Sequence, residues 1–153
     1  MDNTKENFLK RDLVPLLKKL KSYQKGSWGM MSAQQMVEHF ADVVKNANGK
    51  LVLPLLHSGE RLKKLREFLM SEQPFRQNLH NPFIPKEGLQ LKKPDMESAI
   101  NKLQKELNYF FELFGKHPEL KTLNAFFGYL DYNMNLQLLH KHAMHHLKQF
   151  GLV

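Results

Sequence analysis

The sequence predicts an all-α fold: a four-helix bundle with one additional short helix and long proline-containing loops. Three observations lead there. Apolar residues recur every three or four positions in several separate stretches, the period of a helix with one buried face. Those stretches open on N-cap residues and stop at glycine. With 153 residues, the chain is read as one domain spanning 1–153, long enough to bury about two thirds of its unfolded surface around one core.

Phe8, Leu9, Leu13, Leu16, Leu17 and Leu20 predict a first helix over roughly residues 6–23. Pro15 fits a first turn and not a helix interior, so the regular helix is expected to begin after Asp12 as N-cap, with the preceding residues kinked or separate. Ser32 followed three residues later by Gln35 is a capping-box signature, and it opens a second helix that runs to about Asn46. Its apolar stripe is Ala33, Met36, Phe40, Val43 and Ala47. Asn48 and Gly49 stop it.

Leu51 to Leu56, interrupted by Pro54, is too broken to be read as helix or strand. GERLKKLREFLM, from Gly59 to Met70, is a short helix with Leu62, Leu65 and Leu69 inward. Ser71 to Pro94 carries four prolines and reads as a long ordered loop, with Phe75 and Phe83 packing it onto the bundle. Asp95 caps a long helix whose buried side is Ile100, Leu103, Leu107, Phe110, Phe111 and Phe114, and which stops at Gly115. A second loop follows, with Phe126 and Phe127 expected to plug one end of the core.

The last stretch, NMNLQLLHKHAMHHLKQF from Asn133 to Phe150, holds four of the eight histidines. Leu136, Leu139, Ala143, Leu147 and Phe150 form its stripe. His146 falls just beside that stripe and His142 a little further out, while His140 and His145 point elsewhere. His142 and His146 are i and i+4, so their Cβ atoms lie roughly 6 Å apart, a spacing at which two imidazoles can share a divalent ion. The alternative is a pair at the bundle boundary bonded to water or carbonyls, and from spacing alone that is the commoner arrangement. His39 occupies a similar edge position on the second helix, and periodicity does not show whether it meets the other two. Glu38 and Asp42 could serve as acid/base groups beside it, though solvated charges are the commoner reading of each. His57, His80 and His117 fall in loops and are assigned no chemistry.

Cysteine is absent, which removes disulfide frameworks, thiol nucleophiles and cysteine-ligated zinc, and agrees with a reducing compartment. The start MDNTKENFLK has no apolar leader core, and no run approaches the roughly 18 apolar residues of a membrane span, so a cytoplasmic protein without membrane attachment is expected. The net charge of +8 comes from scattered lysines without an arginine cluster. No nucleic-acid partner is therefore expected; such binding would weaken steeply with salt. No GxGxxG, P-loop, GxSxG or HExxH motif is present.

Two stretches, SWGMMSAQQMVEHFAD (27–42) and FFGYLDYNMNLQLLHKHAMHHLKQFG (126–151), together resemble the DinB-like superfamily of metal-binding four-helix bundles. The likeness is closer to its uncharacterised branch, domain-of-unknown-function family 1569, and QPFRQNLHNPF adds to it loosely. Met30 stands where that branch usually has lysine, and Met134 and Asn135 where the last helix often begins with tryptophan. The resemblance implies metal ligands at His39, His142 and His146, with the HxxxHxxQ ending completed by Gln149. It implies a divalent ion, zinc or nickel ahead of manganese or iron, and use of its open position to activate a low-molecular-weight thiol for transfer to a small electrophile, or for hydrolysis.

Three function classes follow. The first is a metal-dependent transferase or hydrolase with a small-molecule substrate. The second is a non-catalytic bundle, binding or structural, its site plugged by a neighbour such as Phe126 or Phe127. Nucleic-acid binding ranks last. A homodimer is common in bundles of this kind.

Overall fold

The structure, a computed structural model, describes residues 3–78 and 81–153. His80 lies outside the described residues. Pro15 shapes the first helical segment, though not by separating it. Thr4–Asn7 (α1) runs directly into a π-helical turn, Phe8–Asp12, and on into Leu13–Leu17 (α2). Proline has no N–H to offer the Arg11 carbonyl, and just upstream the Leu13 N–H reaches back five residues to the Phe8 carbonyl. The wider turn keeps Leu9, Leu13 and Leu17, spaced by fours, closer to one face than 3.6 residues per turn would. All three are buried. Asp12 makes no side-chain cap, so the expected N-cap there is not formed, and the helix ends at Leu17 instead of residue 23.

The second helix, Ala33–Ala47 (α3), starts as expected: Ser32 Oγ accepts from the Gln35 N–H at 3.2 Å while the Gln35 side chain accepts from the Ser32 N–H at 2.8 Å. Its buried face is rotated from the expected stripe. Val37, Ala41 and Val44 are buried with Ala33, Met36, Phe40 and Ala47, and Val43 sits at the edge. Two neighbours require this, because α3 packs against both Met96–Lys116 (α5) and Tyr132–Gln149 (α6).

Gly59–Met70 (α4) has the expected bounds, with only Leu69 fully buried. Asp95 caps α5 through the Ser98 N–H at 2.8 Å. The helix continues one residue past Gly115, to Lys116, and Phe111 is only partly buried. Asp131 caps α6 through the Met134 N–H at 2.9 Å.

The segment expected to be loop between α5 and α6 contains a hairpin, so the fold is mostly helical with a small sheet rather than all-α. Thr122–Asn124 (β1) pairs antiparallel with Gly128–Leu130 (β2), in the register Thr122↔Leu130 and Asn124↔Gly128. Asn124 Oδ1 accepts the Phe126 and Phe127 N–H groups, and Gly128 takes φ +81°, the left-handed conformation that closes a three-residue turn. Buried amides dock it: Asn46 bonds the Leu123 carbonyl, and Asn135 bonds Thr122 Oγ1 and the Leu130 carbonyl.

One core draws Leu9, Leu13, Leu17 and Leu20 together with residues of α3, α5 and α6. A smaller one joins Leu69, Phe127, Leu130 and Leu138. Phe127 therefore seals α4 and the hairpin against α6, not the end of the main core. Because α6 carries cores on two sides, it buries far more than one stripe, including Asn135, Gln137, Leu138 and Lys141. Among the described residues no helix is long and apolar enough to cross a membrane.

Candidate metal centre

The early half of α3 meets the late half of α6, as the contact between Gln149 and the connection before α3 shows: the Ser27 N–H donates to the Gln149 carbonyl at 2.7 Å. This antiparallel arrangement carries His39 onto the face holding His142 and His146. Ring centroids lie 5.4 Å apart for His39–His142, 5.6 Å for His39–His146 and 4.7 Å for His142–His146. One nitrogen from each ring falls within 4.8 Å of the others. The three edge histidines of the sequence form one cluster, and His146, expected at the edge, is 4% exposed.

The tautomer of His146 follows from its neighbours. The Trp28 carbonyl can only accept, so the Gln149 amide nitrogen, 2.9 Å away, donates to it. That turns the Gln149 amide oxygen toward His146 Nδ1 at 2.8 Å. Nδ1 therefore carries the proton, and in the neutral ring Nε2 is a bare lone pair facing the cluster. His142 Nε2 lies 2.8 Å from it and acts as the donor. Gly26 and Gly29 leave room for this arrangement: a Cβ on Gly26 would meet Gln149 Cγ at 2.7 Å, and one on Gly29 would meet Gln149 Nε2 at 2.7 Å.

Burial keeps all three rings neutral. Desolvation lowers His39 to about 4 and His146 to about 3, and His142 is held well below the ordinary histidine value by burial and by its histidine neighbours. Neutral imidazoles are the form that coordinates a metal. A tetrahedral ion at about 2.0–2.1 Å from each nitrogen sets its ligand nitrogens about 3.3 Å apart. The His142 and His146 nitrogens, 2.8 Å apart, are closer than that and all three lie within 4.8 Å, so the residues fit a divalent ion with modest parting of His142 and His146. A set of nitrogen donors alone suits zinc or nickel better than calcium or magnesium.

Phe40 packs against His142 and His146, at 5.6 and 6.5 Å between centroids. Phe75, from the proline-containing loop, packs against His142 at 5.6 Å and His145 at 6.0 Å. Phe75, not Phe126 or Phe127, is thus the loop aromatic at the cluster. His145 also contacts Trp28 at 5.6 Å, and His140 turns away to Phe8 at 5.4 Å. His57 and His117 stay in irregular segments.

Glu38 does not face the cluster as an acid/base group; its oxygens accept the Lys92 and Lys93 N–H groups at 2.7 and 3.3 Å. Asp42 pairs with Lys92 at 3.6 Å. Sequence reasoning singled out Gln149 only through an ending that resembles a family's. It assigned no part to Lys141, and to Trp28 a place in a connection and in one stretch of the resemblance; no periodic signal marks either.

Fold and site together define a mostly helical protein with a buried three-histidine cluster able to hold a metal ion. No family model matches the chain, and no curated protein or solved structure does so either.

Proposed function

We propose that this chain binds one divalent ion, zinc or nickel ahead of manganese or iron, through His39, His142 and His146. The convergence of three neutral ring nitrogens within 4.8 Å, from two helices about a hundred residues apart in sequence, carries this reading. The resemblance to DinB-like bundles, nearest family 1569, supports the same ligands.

On that reading the protein is a cytoplasmic metal-dependent thiol transferase or hydrolase acting on a small electrophile. A bound divalent ion with an open position supplies Lewis acidity, which lowers the pKa of a thiol or water. The chain's own residues do the rest. Gln149 holds His146 in the coordinating tautomer, burial keeps the rings neutral, and Phe40 and Phe75 present apolar surface beside them.

Elemental analysis of untagged protein tests the metal reading. About one ion per chain is expected, with loss in His142→Ala and His146→Ala. Wild-type protein that stays metal-free after incubation with zinc and nickel overturns it.

One observation favours a second reading, a binding or structural protein without turnover. His146 is 4% exposed, and Phe40 and Phe75 both pack against His142 at 5.6 Å, so side chains cover the cluster. Metal-loaded protein offered a low-molecular-weight thiol and a chloronitroarene separates the two. Formation of the carbon–sulfur bond with release of chloride and a proton, above the rate of His142→Ala, supports the transferase, and faster hydrolysis of an activated ester than by His142→Ala supports the hydrolase; absence of both supports the binding protein.

A further inference from the structure

His146 owes its orientation to Gln149. Among the described residues, the one hydrogen bond of the His142 ring is to His146, through the nitrogen a metal would take. Packing has to orient His142 instead, through edge-on contacts with Phe40 and Phe75 at 69° and 74°. Phe40 is fixed in the core of α3. Phe75 lies on an irregular segment, where its backbone is a hydrogen-bond partner of His145 and its ring packs on Phe68 at 5.8 Å.

Lys141 fixes the chain that leads into Phe75. Its side chain is buried, 7% exposed, and its three ammonium protons match three carbonyls: Phe68 at 3.0 Å, Ser71 at 2.9 Å and Gln73 at 2.5 Å. A buried ammonium is tolerated when every proton finds an acceptor, and the carbonyl end of a helix adds a favourable dipole. The ammonium also lies 4.3 Å from the Phe68 ring centre. Only Pro74 lies between Gln73 and Phe75, and its ring fixes φ and restricts Gln73 before it. The link from the clamped carbonyl to the phenyl ring is therefore stiff.

We infer that Lys141 is a positioning residue for the three-histidine site, setting His142 by clamping the Gln73–Pro74–Phe75 segment against its ring. The inference rests on the metal-binding reading. A lysine that only capped α4 would affect folding without reaching the histidines. A lysine acting through Phe75 changes how the folded site holds metal.

The test is zinc affinity, by competition with a chromophoric chelator, in wild type, Lys141→Met, Phe75→Ala and the double variant, beside thermal unfolding of each metal-free protein. Each single change should weaken zinc binding by about tenfold or more, the scale of losses around metal ligands. The double variant should lose little beyond the larger single loss, because both changes cut the same link. Should Lys141→Met fail to fold, Pro74→Gly carries the test: it leaves the three carbonyls in place, loosens the link, and is expected to weaken zinc binding and alter the visible spectrum of the cobalt-substituted site. Unchanged zinc affinity in Lys141→Met or in Pro74→Gly, or additive losses in the double variant, overturns the inference while leaving metal binding intact. Wild type that binds no zinc defeats the metal-binding reading first, and this one with it.

Discussion

The amide oxygen of Gln149 lies 2.8 Å from Nδ1 of His146, and this contact decides which nitrogen of the ring faces the cluster. Gln149 is itself fixed by the Trp28 carbonyl, 121 residues away in sequence. The connection before α3 and the last turn of α6 thus cooperate to aim one ring nitrogen into the cluster.

Gln149→Leu should therefore weaken zinc binding by about 10–100-fold. It should lower the stability of the metal-free chain by only about 1–3 kcal/mol, the cost of leaving a buried ring N–H without its acceptor. Chelator competition and urea unfolding measure the two effects separately. Wild-type affinity in this variant would show that the tautomer is set elsewhere.

At the opposite end of α3, Glu106 governs acid stability. Its carboxylate is 1% exposed and would be raised by burial, but hydrogen bonds from Lys102, Asn48 and Lys50 outweigh that and bring it to about 2. Lys102 lies 2.6 Å, Asn48 2.9 Å and Lys50 3.1 Å from it. The folded pKa is below the ordinary 4.5, so its contribution is full above about pH 4.5 and is lost as pH falls toward 2. The loss should be on the order of 2 kcal/mol, reduced from the full linkage value because both lysines are partly exposed. Glu106→Gln should flatten this stretch of the stability profile; a profile identical to wild type would contradict the assignment.

The rotated face of α3 gives a sharper packing test. Val44 is fully buried, whereas Val43 is only partly so. Val44→Ala should cost about 2 kcal/mol and Val43→Ala less than half as much. Chemical denaturation decides it, and the reverse order would restore the narrower stripe read from the sequence.

The helices were legible because each carries its signals locally. Ser32 with Gln35, and Asp95 with Ser98, bond within one turn, so residue types three apart announce the start. The hairpin was not. Three-residue strands are too short to display alternation, and the turn relies on the Asn124 side chain and a positive φ at Gly128. Pro15 reads as a kink or break because a proline inside a regular α-helix is costly. The π turn accommodates it with a pattern that residue identities do not encode.

The sequence by itself determined the helical periods, the caps, and the placing of His142 and His146 one turn apart, since all of these are set by contacts within a few residues. Only tertiary structure decided that His39 joins them, that α6 is buried on two sides, and that Lys141 and Gln149 reach Gln73 and Trp28. These depend on how α3, α4 and α6 lie against one another, and that is fixed by the summed packing of two cores rather than by any local stretch of chain.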